Sequence, residues 1–175
     1  FNSSAYEGLK RAESELKVKV KYVEGTDDNS YEALIRTFAQ KDFDIIVAIG
    51  FGQSEAVKKV SKQYPDKKFV IVDALIDAPN VQSVQFEENE GSYLVGAAAA
   101  MHSKTGVVGF IGGMDIPLIR RFEKAYVEGA KSVNPKIKVL VNYVGVTGEA
   151  WNNPPKGKEL ALAQYAQNAD VIFTA

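Results

Sequence analysis

The stretch Asp44–Val60, DIIVAIGFGQSEAVKKV, decides how the chain is read. Ile45 to Ile49 is an apolar run of strand length without polar alternation, the pattern of a parallel strand covered on both faces. It runs into Gly50, Phe51 and Gly52, and a helix follows at once, with Ala56, Val57 and Val60 at helical spacing. Strand, glycine turn and helix in succession open a βαβ unit. The glycines nearly match G-x-G-x-x-G, the loop that seats a dinucleotide pyrophosphate, and Asp73 lies about 20 residues on, where a ribose-binding acid would be wanted. The third glycine, however, is replaced by Glu55. A carboxylate in the first helical turn repels phosphate and takes for itself the attraction of the helix N-terminus. No G-x-x-x-x-G-K-[ST] loop occurs elsewhere. Gly50 and Gly52 therefore let the backbone approach something uncharged, or only close a tight turn.

The alternation extends in both directions. Tyr6, Leu9, Ala12 and Leu16 recur at helical spacing, and VKVKYV (18–23) alternates as a strand with one wet face. A helix is predicted over Tyr31–Gln40 and another over Gln53–Tyr64, stopped by Pro65. KFVIVD (68–73) and VQSVQF (81–86) read as strands, and Glu90–His102 as a helix. The pattern then repeats as strand GVVGFIG (106–112), helix Pro117–Val133, strand IKVLVNYVG (137–145), helix Pro155–Gln167 and strand DVIF (170–173). Regular alternation predicts an α/β fold of parallel βαβ units. The polar stretch Ser103–Gly106 predicts a seam, with a first lobe over residues 1–104 and part of a second over 105–175. FNSSAYEG begins at a helix start, with Asn2, Ser3 or Ser4 as N-cap, and ADVIFTA stops as a strand finishes, so the chain reads as a piece of something longer.

Composition narrows the function. The 175 residues are 46% hydrophobic and 25% charged with a formal net charge of −1, which supplies no basic face for nucleic acid. No apolar run reaches the roughly 18 residues of a membrane helix. The absence of cysteine excludes disulfides and thiolate metal sites. His102, the single histidine, falls in the last turn of an Ala-rich helix, so neither a His-rich metal cluster nor a Ser–His pair is available. Asp73 and Asp115 would be an acid/base couple, but clustered aspartates at metal-ligand spacing are missing. No catalytic residue, metal or cofactor is expected, and the protein reads as a non-enzyme.

Ligands of open parallel sheets bind beyond the carboxyl ends of the strands. Those ends deliver Gly50 and Phe51, Asp73, Phe86 with Glu87 and Glu88, Gly112 through Asp115, Gly145 through Trp151, and Phe173. Rings that stack on a flat ligand, with Asp and Asn reading its polar edges, suit a binder. The competing reading is that Phe51, Phe86 and Phe173 are strand-end core.

FNSSAYEGLK, VQSVQFEENEGSYLVGAAAA, GVVGFIGGMDIPLIRRFEKAYVEGAK and KGKELALAQYAQNADVIF together resemble the basic membrane protein family, the purine-nucleoside receptors of bacterial ABC transporters. The similarity covers essentially the whole chain in order. It implies a type I periplasmic-binding-protein fold, two parallel-sheet lobes joined by a hinge, here incomplete at both ends. It also implies an extracytoplasmic lipoprotein, in the periplasm or at the cell surface. The membrane would be reached only through an upstream lipid anchor, and the nucleoside would pass to a permease. By resemblance Phe1 stacks on the base and Asn2 bonds its edge, while Phe173 stacks on the other face. Asp73, Gly50 and Phe86 occupy matching strand ends, and the ribose-binding residues of the family would lie beyond Ala175. TGEAWNNPPKG is longer than the shortest family versions, so Trp151 either caps the cleft or packs at the surface. A ligand-sensing domain of a sugar- or nucleoside-responsive regulator, and a nucleoside hydrolase, are the alternatives.

Overall fold

A computed structural model describes residues 2–25 and 30–175. The chain forms two compact units, Phe1–Phe86 and Glu87–Ala175.

The first unit contains α1 (Asn2–Leu16), α2 (Tyr31–Ala39), β1 (Ile45–Ile49), a short 3-10 turn (Phe51–Gln53), α3 (Ser54–Gln63), β2 (Lys68–Val72) and β3 (Val81–Val84). Its three strands are parallel in the order β1-β2-β3. Alternation along the strands puts Ile46 and Ala48 of β1 and Phe69 and Ile71 of β2 on one face. There they meet Ile35 and Ala39 of α2 and Val57 and Val60 of α3. The α3 lysines 58, 59 and 62 stay in water, so its two valines are the stripe that docks. Asn80 closes the end of this helix, its Nδ2 donating to the carbonyls of Ser61, Tyr64 and Lys67 at 3.0, 3.1 and 3.0 Å.

Two expectations fail in this unit. The apolar run of β1 predicts cover on both faces, yet Ile45 and Val47 are 56% and 54% exposed. Neither α2 nor α3 reaches that face, and α1 has no buried residue. VKVKYV forms no strand. Alternation gives a segment the side chains for a sheet surface, but a strand also requires a ladder partner, and β1 pairs only with β2 among the described residues.

The second unit contains α4 (Glu88–His102), β4 (Val107–Met114), α5 (Pro117–Val133), β5 (Lys138–Gly145), a 3-10 turn (Gly148–Asn152), α6 (Pro154–Ala166) and β6 (Val171–Thr174). Its parallel strands run β5-β4-β6, so β4 is central although it comes first in the chain. On one face the buried Phe110 ring meets Tyr126 of α5 at 6.0 Å, Tyr143 at 6.3 Å and Phe173 at 5.8 Å. On the other, α6 lays Gln164 over Gly109, where a Cβ would fall 1.9 Å from Gln164 Oε1. Gln164 Nε2 donates to the Phe110 carbonyl at 3.0 Å and to Asn142 Oδ1 at 2.9 Å. This central strand is covered on both faces.

α4 lies in this unit rather than with the residues before it. A Cβ at Gly96 would lie 2.0 Å from the Tyr126 carbonyl oxygen, and one at Gly129 would lie 1.9 Å from that of Tyr93. The helices α4 and α5 therefore cross with backbone nearly touching backbone. The units consequently divide between Phe86 and Glu87, whereas the polar composition of Ser103–Gly106 suggests a seam at residue 104. That stretch is tied down inside the second unit. Asp170 accepts from Ser103 Oγ at 2.7 Å, Lys104 N at 2.6 Å and Thr105 N at 3.0 Å.

Candidate functional site

In the first unit the strand ends present Gly50, Asp73 and Phe86. Gly50 has φ +102° with open space where a Cβ would stand, and its N–H donates to the Val72 carbonyl at 3.1 Å. The left-handed backbone is what requires glycine here. The turn that follows uses its polar groups on itself, with Gln53 Nε2 donating to the Ile49 carbonyl at 3.0 Å. Glu55 is exposed in the first turn of α3. Asp73 also has positive φ, 63°, and its N–H donates to the Val84 carbonyl at 2.9 Å. Only a few per cent of non-glycine residues adopt this conformation, Asp and Asn most readily, and it occurs often at ligand sites. Lys17 and Asn168 share it, so it marks Asp73 without singling it out. Phe86 is 59% exposed, which sets aside the reading of its ring as core. Asn2 is exposed at the first position of α1. Phe1 lies outside the described residues.

In the second unit Phe173 is half-buried. Its ring tilts on Tyr126 at 5.4 Å and meets Phe110 edge-on, so part of its surface already serves the core. Trp151 is 45% exposed and lies over the end of β4, where a Cβ on Gly113 would fall 2.4 Å from Cζ3 of the indole. Gly113 in turn donates to the Ala175 carbonyl at 2.7 Å, which joins the ends of β4 and β6.

Three features here escape a reading by motif. Arg120 grips Asp115 with both arms of its guanidinium, Nε to Oδ1 at 2.6 Å and Nη2 to Oδ2 at 2.9 Å. The fork occupies the carboxylate that would otherwise be an acid/base candidate. Tyr143 donates to Glu123 at 2.5 Å, and burial, together with that bond, pushes its phenol far above the usual tyrosine range. Met114 accepts from Trp151 Nε1 at 3.1 Å. Each pairing joins residues whose separation in sequence follows no recurring spacing, so only GGMD, as a glycine-rich strand end, signals the place.

Two surface grooves lie elsewhere. One of about 360 Å³ runs between α4 and α5, lined by Asn89, Glu90, Tyr93, Leu94, Ala125 and Glu128. The other lies over α2 and α3, lined by Lys58, Lys59 and Glu32 among others. Neither includes a candidate residue. Among the described residues no group of three His, Cys, Asp or Glu could hold a metal, and no helix is long and apolar enough to cross a membrane.

Parallel α/β units with open strand ends are the class of fold that the structure defines. Within that class the chain belongs to the Bmp family, described as "ABC transporter substrate-binding protein PnrA-like", which it matches over residues 1–175. It is 39% identical over 178 residues to the "ABC transporter nucleoside-binding protein BmpA" of Lactococcus lactis, covering 99% of this chain and 50% of that protein. The chain thus spans about half the length of the curated relatives it matches. An ABC transporter solute-binding protein of Aeropyrum pernix superposes with a TM-score of 0.86 at 29% identity, over 100% of this chain and 50% of that one. A structure titled as a transcriptional activator of the comK gene, from Bacillus halodurans, gives 0.80 at 29% identity, over 99% and 59%.

Proposed function

We propose that the protein carrying this chain is an extracytoplasmic receptor that captures purine nucleosides without altering them and delivers them to an ABC transporter permease. The observation that carries the reading is the 39% identity, along nearly the whole chain, to a relative described as a nucleoside-binding protein. A lipid anchor upstream of these residues belongs to the same reading. Phe1, Asn2, Gly50, Asp73, Phe86, Phe173 and Trp151 are the residues proposed for the ligand. Rings and short polar side chains suit a purine, which has flat faces for stacking and a polar edge for hydrogen bonds. Asp115, the acid/base candidate at a strand end, is held in a fork by Arg120, which favours binding over turnover.

Calorimetry of the intact protein against nucleosides, sugars and amino acids tests the reading. Inosine or guanosine should bind, ribose and amino acids should not, and purified protein should release no free base. Phe173→Ala should weaken nucleoside by about 1–3 kcal/mol, the range for one base–aromatic stack. Binding of sugars alone would overturn the proposal. A regulatory role is the second reading, favoured by the likeness to the structure titled as a transcriptional activator. Specific retention of the intact protein on DNA would favour it.

A further inference from the structure

The chain contains a single tryptophan, and the second unit builds a seat for it. Three atoms of its six-membered ring, Cζ3, Cε3 and Cη2, would come within 2.4, 2.6 and 3.0 Å of a Cβ on Gly113, so the ring rests on bare backbone. Its one polar atom, Nε1, donates to Met114 Sδ at 3.1 Å. From the other side the ring is carried by the 3-10 turn Gly148–Asn152, anchored by the buried Ala150. Asn153 then caps α6, its Oδ1 accepting from Lys156 N at 3.1 Å. Support from beneath, at Nε1 and from the carrying turn coexists with 45% exposure.

Trp151 is also distinct from Phe173. Phe173 is in register with Phe110 and shares its face of the sheet, whereas Gly109 and Gly113 alternate to the other face. The two rings approach the carboxyl end of one sheet from opposite sides.

We propose that Gly113 and Met114 are positioning residues that hold the Trp151 indole as a flat platform for an aromatic heterocycle, so that the second unit selects bases over sugars. The proposal rests on the nucleoside-binding reading above. Gly113 is required because any side chain there would lift the ring off the strand. Met114 is suited because an unbranched, polarisable thioether adapts to an indole edge and accepts its N–H.

The test uses the intact protein, titrated with guanosine and with ribose as a control without a base. Trp151→Ala should weaken guanosine roughly 5- to 150-fold, the range for one base–aromatic stack, and Trp151→Phe should recover most of it. Gly113→Ala should weaken guanosine comparably, and the double variant should be no weaker than Trp151→Ala alone, because both changes remove one platform. Met114→Leu keeps the apolar volume and removes the sulfur acceptor. It should shift the Trp151 emission, taken as the difference from matched Trp151→Phe protein, and weaken guanosine less. Should Gly113→Ala fail to fold, the cycle of Met114→Leu with Trp151→Ala reads the same coupling. Unchanged guanosine affinity in Trp151→Ala, additive losses in the double variant, or Trp151 emission indifferent to guanosine would each overturn the platform while leaving the nucleoside reading in place. If guanosine fails to bind the unsubstituted protein, both fall together.

Discussion

In the second unit the central strand is buried along its whole middle, Val108 to Gly113, whereas β1 of the first unit buries Ile46 and Ala48 and leaves Ile45 and Val47 more than half exposed. The two strands have similar apolar sequences. What differs is what reaches them: α5 lies on one face of β4 and α6 on the other, while α2 and α3 both serve the same face of β1. Apolar composition therefore states what a strand can bury, and neighbouring elements decide how much of it is buried.

This contrast predicts very unequal costs for similar truncations. Phe110 is fully buried between three rings, so Phe110→Ala should cost about 3–5 kcal/mol, from lost transfer free energy and the cavity left behind. Val47→Ala on the open face should stay within about 0.5 kcal/mol, as surface changes do. Urea unfolding of both variants checks the pair. Equal losses would mean that the open face of β1 is covered in solution and that the comparison fails.

The helices offer a second contrast, at glycines. At Gly129 an added methyl meets the Tyr93 carbonyl carbon at 2.7 Å and its oxygen closer still, and backbone cannot swing aside as a side chain can. Gly129→Ala should therefore cost about 1–3 kcal/mol, the usual penalty of overpacking. Gly91, in α4, has nothing within 4 Å. There the same substitution should stabilise by roughly 0.5–1 kcal/mol through the better helix propensity of alanine. A destabilised Gly91→Ala, or a neutral Gly129→Ala, seen in thermal melts, would break the assignment of the α4–α5 crossing as the tight contact.

Much of this was legible in the sequence. The helix Pro117–Val133 begins and ends where its proline and its apolar stripe place it, and the strands after residue 40 fall where apolar runs meet glycine or charge. VKVKYV has the alternation of a strand and forms none, because period-two alternation is a local signal while ladder partnership is a long-range one. The unit boundary was hidden for a related reason. Ser103–Gly106 has linker composition, yet Asp170, more than sixty residues later, binds it. Among the candidate site residues, strand-end position was readable for Gly50, Asp73, Phe86 and Phe173. The seat of Trp151 was not, because it depends on a glycine and a methionine that carry no motif of their own.

The smallest expected effect separates the two units by how each holds a carboxylate. Asp170 is held by hydroxyl and backbone donors, Ser103 Oγ foremost and then the N–H groups of Lys104 and Thr105, and these lower its pKa to about 2. Glu32 in the first unit is held by hydrogen bonds from charged donors, Lys59 Nζ at 2.7 Å first and Arg36 Nη2 at 2.5 Å next, and its pKa is also lowered. In both cases the native state binds its proton more weakly than the unfolded chain does. The contribution is therefore complete above the unfolded value of about 4 and disappears as pH falls through the native one. The stability difference between the parent and Asp170→Asn should thus be present at neutral pH and close as pH falls from about 4 to about 2. Glu32→Gln should behave alike at low salt, but its difference should shrink when ionic strength is raised to about 1 M, where the screening length falls to about 3 Å. The Asp170 difference should largely survive, since short bonds to fixed backbone dipoles are screened less than exposed ion pairs. If salt erases both differences equally, the loop Ser103–Gly106 is held by net charge rather than by its backbone donors.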